Sequence, residues 1–483
     1  MDGISALFCS MIRDSTSGTA CVMGGILYRI IGRRMQRREV LRTLAGAPAF
    51  LRQTAEKPNI VWLTGEDMGP ALGCYGHPFM RTPNLDWLAS QGVRFTQAFA
   101  TAPVCSASRS AFMTGVYQTT TGTHHHRSHR RDGYQLPAGV KLVTDRLRER
   151  GYFTCNVREV APGVGGTGKT DLNWDARKPF DGTHWNQRAK GQPFFAHINF
   201  QAPHKGPAFT LARRQKHLVD PKQLALPPYW PDHPVVRDEY ANHLDAINLL
   251  DSQIGATLDA LRRDGLLDSA IIVFFGDNGR CLIRGKQWLY DAGIHIPLII
   301  RWPGGDARPG AVRDDLVLSL DSTATTLWLA GVPLPEKMDG RPLFGPLARR
   351  RDHTIHARDR CDMTLDRIRC VRTARYKYIR NFMPERPYTQ FNNYIETSYP
   401  TLGVMKELHT QGKLNAAQSL FMADRKPDEE YYDLLEDPHE VNNLAGSAAH
   451  KAGMDRLRAR LDAWIQATGD QGQHPERPEA AAL

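Results

Sequence analysis

The spacing of apolar positions from Lys57 onward predicts alternating strands and helices. Short apolar runs bounded by turn residues predict buried strands at 59–64, 194–200, 270–275 and 297–301. Helix-capping residues or apolar residues at helical spacing predict helices that begin at Thr82 and cover 140–150 and 240–265. This alternation is typical of an α/β fold, in which helices cover both faces of a mostly parallel sheet.

The pattern changes after Gly345. Short strands at 354–357, 370–373 and 376–380, followed by a terminal helix at 449–468, indicate a smaller α+β unit. We therefore divide the chain into a leader over residues 1–56, a large α/β domain over 57–345 and a smaller C-terminal subdomain over 346–483.

The leader carries the features of an export signal. Its apolar stretch at 20–31 is interrupted by Arg29 and is shorter than the roughly 20 residues of a membrane span. The pair Arg37-Arg38 before a short stretch of small and apolar residues is typical of a twin-arginine signal. We expect an exported, periplasmic protein whose true start is Met35; the alternative is a disordered basic tail on a cytoplasmic protein.

Composition excludes several classes of protein. The 483 residues are 41% hydrophobic and 23% charged, which is close to a soluble globular average and far from a disordered chain, a coiled coil or a multi-span membrane protein. The net charge of +11 favours an anionic substrate, but no basic arm interleaved with aromatics points to nucleic acid. The eight cysteines show no zinc-site spacing, and an exported chain would have room for one or two disulfide bridges.

Two predicted strands end in acidic residues. Glu66-Asp67 follow the strand at 59–64, and Asp277-Asn278 follow the strand at 270–275. Ligands of open parallel sheets bind beyond the carboxyl ends of the strands. Three carboxylates and an amide oxygen are suited to Ca²⁺ or Mg²⁺, although acidic residues after strands are also common as turn formers.

The segment PVCSASRSAFMTG at 103–115 supplies a third element. Here the chain resembles the type I sulfatases of the alkaline-phosphatase-like superfamily. Their signature, Cys-x-Pro-x-Arg, leads into a helix and Thr-Gly, and its Cys is oxidised to formylglycine. Further segments resemble the family in the same order along the chain, at 58–67, 81–95, 275–293 and 432–445. The resemblance covers roughly residues 57–465 and is greatest to heparan N-sulfatase (sulfamidase) and its bacterial relatives, through APHKGP at 202–207 and DPHE at 437–440.

The resemblance implies a sulfatase with a catalytic domain over 57–345. Its substrate would be a sulfated saccharide, such as one with a heparan-type N-sulfoglucosamine end. Its cofactor would be Ca²⁺ rather than Mg²⁺, and a formylglycine-generating enzyme would be a partner during maturation. The metal ligands implied are Glu66, Asp67, Asp277 and Asn278, together with the modified Cys105.

The resemblance also implies roles for the polar residues around Cys105. One hydroxyl of the hydrated aldehyde would attack sulfur, and the second would lose its proton so that sulfate is expelled and the aldehyde returns. Developing negative charge needs fixed cations, and leaving-group protonation needs an acid. The cations implied are Arg109, Lys169 and Lys286, and the acid is His204.

Three positions depart from the family pattern. Ala107 replaces the usual Pro of the cysteine signature, which bears on the efficiency of formylglycine formation. Glu66 stands where Asp is frequent, and a longer carboxylate can still bind Ca²⁺. Asp171 stands where His is frequent, two residues after Lys169, and residues 157–168 form an insertion before that lysine.

Two polar clusters are candidates for substrate contacts. In the histidine-rich loop at 123–129, one of His125 and His126 would contact substrate, the alternative being a solvated loop. In the smaller subdomain, Arg358 and Arg360 would bind acidic groups of a sugar. The alternative is a structural salt-bridge cluster.

Other functions stay open at this point. Residues 163–170 fit the Walker A spacing of a nucleotide-binding ATPase, but residues 171–179 have no helical apolar stripe and end in proline, which favours a glycine-rich loop. A phosphomonoester or phosphonate hydrolase on the same fold would use the same oxyanion chemistry. A non-catalytic saccharide-binding relative would keep Cys105 as a thiol.

Overall fold

The central sheet has seven strands in the order β3-β4-β1-β5-β6-β2-β7. All neighbouring pairs are parallel except those of β6, which runs antiparallel to β5 and to β2. The strands are β1 (Ile60–Gly65), β2 (Val93–Phe99), β3 (Phe153–Val157), β4 (Phe194–Phe200), β5 (Ile271–Gly276), β6 (His295–Arg301) and β7 (Ala311–Leu318).

The structure, a computed structural model, describes residues 57–161, 163–213 and 216–481. Of Ala208 it describes only the backbone. The predicted leader over 1–56 lies outside the described residues. Within them, no helix is both long and apolar enough to cross a membrane. The six described cysteines are free thiols, so no disulfide joins them, and Cys9 and Cys21 fall in the part not described.

Helices surround the central sheet and continue into the C-terminal region. They are α1 (Pro83–Ser90), α2 (Cys105–Thr114), α3 (Val143–Glu149), α4 (Pro207–Ala212), α5 (Pro234–Arg263), α6 (Asp291–Ile294), α7 (Leu320–Leu329), α8 (Asn393–Ser398), α9 (Pro400–Thr410), α10 (Ala416–Phe421), α11 (Lys451–Thr468) and α12 (Pro478–Ala481).

Alternate residues of β1 belong to different cores because side chains alternate across a strand. Val61 and Leu63 lie in a core with apolar residues of α1 and α5. Ile60 and Trp62 lie in a core with residues of α2, α3 and α7. Helices therefore cover both faces of a mostly parallel sheet, which confirms the predicted fold class.

The smaller unit is a four-stranded antiparallel sheet in the order β11-β10-β9-β8. Its strands are β8 (Thr354–Arg358), β9 (Ile368–Arg372), β10 (Tyr376–Asn381) and β11 (Glu429–Asp433). The chain from Pro58 onward forms one compact unit, so the division at 345 remains a proposal.

Helix α5 supports the strand that leads into the acidic pair. Its predicted apolar stripe is fully buried, and it includes Leu250, which packs beneath Gly65 at the end of β1. We expect Leu250→Ala to lower the free energy of unfolding by about 2–5 kcal/mol, because the substitution leaves a cavity in a close-packed core. Urea denaturation monitored by circular dichroism would measure this loss.

The matched control is Leu435→Ala, since the side chain of Leu435 is 68% exposed. Its unfolding free energy should change by no more than about 0.5 kcal/mol. Equal losses in the two variants would contradict the burial assigned to α5.

Candidate active site

The two acidic clusters lie side by side at one edge of the central sheet. Strands β1 and β5 are parallel neighbours in register, with Gly65 opposite Gly276, so the residues that follow each strand meet. The backbone N–H of Asp67 donates a 2.9 Å hydrogen bond to Oδ1 of Asp277. Asp67 adopts a left-handed backbone conformation with φ of 52°, which few non-glycine residues adopt and which marks a constrained turn.

Helix α2 places Cys105 against this edge. Cys105 is the first residue of the helix and is buried, and its Sγ lies 3.4 Å from Oδ1 of Asp67. Nζ of Lys286 lies 3.1 Å from the same sulfur and 2.6 Å from Oδ2 of Asp67. Burial, and then the charge of Asp67, raise the pKa of the Cys105 thiol. The unmodified side chain is therefore a protonated thiol at neutral pH and a weak nucleophile.

His204 completes this side of the site. Its Nε2 lies 3.7 Å from Oδ2 of Asp67. Asp67, Cys105 and His204 each present a ligand atom, and these atoms lie within 4.8 Å of one another. The predicted catalytic residues Cys105, Lys286 and His204 thus converge on one point of the sheet edge.

Arg109 lies one turn further along α2 and is fully buried. Its Nε donates a 3.1 Å hydrogen bond to Oδ2 of Asp277, and its Nη2 donates to Oδ1 of Asn199. The amide of Asn199 in turn donates to Oε1 of Glu66. Asn199 is a residue that the sequence analysis missed. The available signal was the presence of two polar side chains, His197 and Asn199, in the otherwise apolar run of β4.

Lys169 reaches the site from the glycine-rich loop. Its Nζ donates a 2.7 Å hydrogen bond to Oε2 of Glu66. Gly165 and Gly166 leave no room for a Cβ because their backbones press against carbonyl oxygens of Arg158 and Val157. No helix follows the loop in the described chain before the short turn at Trp185–Gln187, so the Walker A interpretation is wrong.

The acidic residues have the chemistry of a divalent-cation site. Glu66, Asp67, Asp277 and Asn278 are all buried, and the amide oxygen of Asn278 has no hydrogen-bond partner in the described structure. Burial raises the pKa of Asp277 to about 6, and the neighbouring carboxylates oppose the lowering effect of Arg109. Burial would also raise the pKa values of Glu66 and Asp67, but nearby cations hold both below their usual values. This set of buried hard oxygen atoms fits Ca²⁺ or Mg²⁺.

A cavity of about 230 Å³, which we call the catalytic cavity, opens beside these residues. His204 and Lys286 line it together with four residues from other parts of the fold: His126, Asp362, Asn392 and Tyr394. Nε2 of His126 lies 3.6 Å from Oδ1 of Asp362, and Nζ of Lys286 lies 5.4 Å from the centre of the Tyr394 ring. The sequence analysis missed Asp362, Asn392 and Tyr394, because nothing in their local pattern links them to Cys105.

Three of the predicted substrate-binding residues do not line this cavity. Arg358 is buried in an ion pair with Asp366. Nη2 of Arg360 donates a 2.7 Å hydrogen bond to Glu476, and the backbone N–H of Arg360 donates to Nδ1 of His125. The geometry favours a structural salt-bridge cluster for Arg358 and Arg360. Of His125 and His126, only His126 lines the catalytic cavity.

Comparison with known families decides the class of protein. A family model described as Sulfatase matches residues 58–332, which is more than half of the chain. The chain belongs to the sulfatase family. As a sulfatase it is a hydrolase that acts on sulfate esters or sulfamates. A second model, described as the C-terminal part of N-sulphoglucosamine sulphohydrolase, matches residues 282–394.

Known sulfatases are similar over most of this chain. An ulvan-active sulfatase of Formosa agariphila is 32% identical, with 90% of this chain and 79% of the relative covered. Human N-sulphoglucosamine sulphohydrolase is 24% identical, with 86% and 91% covered. A crystal structure of a Bacteroides thetaiotaomicron protein described as a sulfatase matches with a TM-score of 0.64 at 20% identity, covering 88% of this chain and 97% of that one. The structural match shows that the fold is shared.

Proposed function

We propose that this sulfatase hydrolyses sulfated saccharides with a formylglycine made from Cys105 and a bound Ca²⁺. The observation that carries the proposal is the position of Cys105, whose buried sulfur lies between Asp67 and Lys286. Asp277 and Asn278 lie at the same edge of the sheet. A protonated thiol in this position would be a weak nucleophile, whereas a hydrated aldehyde supplies two hydroxyl groups, one for attack and one for release of sulfate.

The surrounding residues would bind and neutralise the sulfate group. Glu66, Asp67, Asp277 and Asn278 would hold Ca²⁺, which supplies charge stabilisation to sulfate oxygens when bound. Lys286 and Lys169 present fixed positive charges close to Cys105, and Arg109 orients Asp277 and Asn199. Such preorganised charges are worth more in a buried site than in water.

The saccharide would occupy the catalytic cavity beyond the sulfate. Asp362 and Asn392 offer hydrogen-bonding groups for sugar hydroxyls, and Tyr394 offers an aromatic face beside Lys286. The match of residues 282–394 to the N-sulphoglucosamine sulphohydrolase model supports an N-sulfoglucosamine end as the substrate, and the match to an ulvan-active relative supports an O-sulfated one. Parallel assays of sulfate release from N-sulfoglucosamine and from glucosamine 6-sulfate would separate the two.

The mass of the peptide that contains residue 105 tests the proposal directly. Protein from the native host should give the mass of an aldehyde in place of a thiol, and it should release sulfate from an aryl sulfate faster than phosphate from the matching aryl phosphate. A thiol mass in protein that is fully active would overturn the formylglycine mechanism. Faster phosphate release would favour the phosphomonoester or phosphonate hydrolase, which the family match supports less well.

His204 is expected to protonate the leaving group. Burial, and then the charge of Lys286, lower the pKa of His204 to about 4, and a bound sulfate would counter Lys286 and raise it. We expect His204→Gln to lower kcat/KM about 10²–10⁴-fold for a sugar sulfate, whose alkoxide or amine leaves poorly. The loss for 4-nitrophenyl sulfate should be under about tenfold, because that phenolate leaves without a proton.

The pH dependence gives a second measurement on the same variant. An acid with a pKa of about 4 in the free enzyme loses its proton as the pH rises, so kcat/KM for the sugar sulfate should fall above pH 4. This descending limb should be absent in His204→Gln and present in the control His353→Gln, whose ring pairs with Asp352 at the surface. Two results together would exclude His204 as the acid: an equal loss of kcat/KM for the sugar sulfate and for 4-nitrophenyl sulfate, and a kcat/KM of His204→Gln that still falls above pH 4.

A further inference from the structure

A second cavity, of about 280 Å³, lies between the loops that follow β1 and β5 and the start of α5. We call it the Arg280 cavity, after one of its lining residues; His77, Tyr229, Tyr240 and His243 also line it. It shares no lining residue with the catalytic cavity. The function proposed above uses none of its residues.

Three nitrogen atoms of its lining residues are buried without a hydrogen-bond partner in the described structure. They are Nδ1 of His77, Nε2 of His243 and Nε of Arg280. His243 is only 1% exposed, so water outside the cavity does not serve its ring. Leaving a buried polar group unpaired is unfavourable, so three of them around one cavity indicate a polar occupant.

His77 and Arg280 are each also held by a tyrosine hydroxyl. Nε2 of His77 lies 3.2 Å from the hydroxyl of Tyr240, and Nη2 of Arg280 donates to the hydroxyl of Tyr229. These contacts fix the side chains in place and leave the three free nitrogens for a ligand. Burial, and then the charge of Arg280, lower the pKa values of His77 and His243, so each ring is neutral and carries one N–H.

The charges around the cavity favour an anion. Arg280 and Arg284 line it, as do the carboxylates Asp291 and Glu440. Both carboxylates are paired with Lys377 at 2.6 Å, and Asp291 also pairs with Arg372. Lys377 and Arg372 do not line the cavity but neutralise its two carboxylates, whereas Arg280 and Arg284 form no ion pair with a carboxylate within the described residues. The site is therefore complementary to a group that accepts several hydrogen bonds and carries negative charge.

We propose that the Arg280 cavity is a second oxyanion site, which binds a sulfate group. A volume of about 280 Å³ equals the liquid volume of roughly nine water molecules, more than a free sulfate ion fills. The sulfate group has two sources, free sulfate ion and a sulfated sugar, and the free ion is also the product of the catalysed reaction.

Arg280, which lines the cavity, and the adjacent Cys281 also hold the catalytic residues. The backbone N–H of Cys281 donates to the carbonyl of Asp67 at 3.2 Å, and that of Lys286 donates to the carbonyl of Arg280 at 2.8 Å. Sγ of Cys281 donates to the carbonyl of Pro203, next to His204, at 2.9 Å. Occupancy of the cavity should therefore alter turnover, and added sulfate should give mixed inhibition in place of purely competitive inhibition.

Binding of [³⁵S]sulfate to the metal-loaded protein, measured by equilibrium dialysis, tests the proposal. We expect two sulfate sites per chain in the wild type. Arg280→Gln should keep only the catalytic site, and Lys286→Ala should keep only the Arg280 site. His77→Leu, on a partly exposed loop, is a second variant that should weaken the Arg280 site at least tenfold. Inhibition by sulfate should become purely competitive in Arg280→Gln.

The source of the sulfate group is tested with glucose 6-sulfate on the Cys105→Ala variant, which should not hydrolyse it. Binding at the Arg280 site that is at least tenfold tighter than free sulfate assigns it to a sulfated sugar, and equal binding assigns it to the free ion. A single wild-type site that persists in Arg280→Gln, or two sites in both Arg280→Gln and His77→Leu, would overturn the proposal. These counts do not depend on chemistry at Cys105, so they stand apart from the test of the proposed function.

Discussion

Cys105→Ala should abolish sulfate release while leaving the fold intact. The side chain that becomes the nucleophile is removed, and no other nucleophile lies between Asp67 and Lys286 in the described site. Loss of the group that forms the covalent bond costs enzymes up to about 10⁶-fold in kcat, so we expect a loss of at least about 10⁴-fold. Steady-state release of sulfate from an aryl sulfate measures the loss, and circular dichroism checks the fold.

The control for this variant is Cys370→Ala. Cys370 is also a buried free thiol, but it lies in β9 of the smaller sheet. Its substitution should leave kcat/KM within about threefold of the wild type, at a cost of about 1 kcal/mol in stability. Retained sulfate release in Cys105→Ala would rule out a nucleophile at this position.

Asp67→Asn should remove the bound cation. The side chain of Asp67 is fully buried and contacts Cys105, Lys286 and Asn278. It therefore links the proposed nucleophile, a fixed cation and another proposed Ca²⁺ ligand. Exchanging a charged ligand for a neutral one should weaken Ca²⁺ binding at least about 100-fold. It should lower kcat/KM at least about 10³-fold, or ~4 kcal/mol of transition-state stabilisation.

Calorimetric titration of Ca²⁺ into metal-stripped protein measures the loss of affinity. Ca²⁺ should raise the melting temperature of the wild type but not that of Asp67→Asn. The control Asp245→Asn removes a buried carboxylate that pairs with His217, and it should keep Ca²⁺ affinity. Wild-type Ca²⁺ affinity in Asp67→Asn would contradict the assigned ligand set.

The same titration has a predictable pH dependence. The pKa of Asp277 is raised to about 6 in the metal-free site, so below that pH the carboxyl holds a proton that Ca²⁺ must displace. Affinity should therefore fall about tenfold per pH unit below 6 and level off above it.

The sequence could predict the elements that carry the site because their signals are local. The apolar runs of β1 and β5, each bounded by glycine and followed by acidic residues, predict both the strands and the edge at which Asp67 and Asp277 meet. Strand β7 was not predicted, because its first half contains the consecutive charged residues Arg313 and Asp314 and only its second half is buried.

The sequence by itself determined the fold class, the family resemblance and the residues that surround Cys105, since each follows from short-range pattern and motif. Only the tertiary structure decided which distant side chains join them. Asn199 connects Arg109 to Glu66 across separate elements, and Asp362 reaches the catalytic cavity from the smaller unit. Arg358 instead forms an ion pair with Asp366. The physical reason is that hydrogen bonds and ion pairs depend on strand register, backbone conformation and burial, which a linear pattern of residue types does not contain.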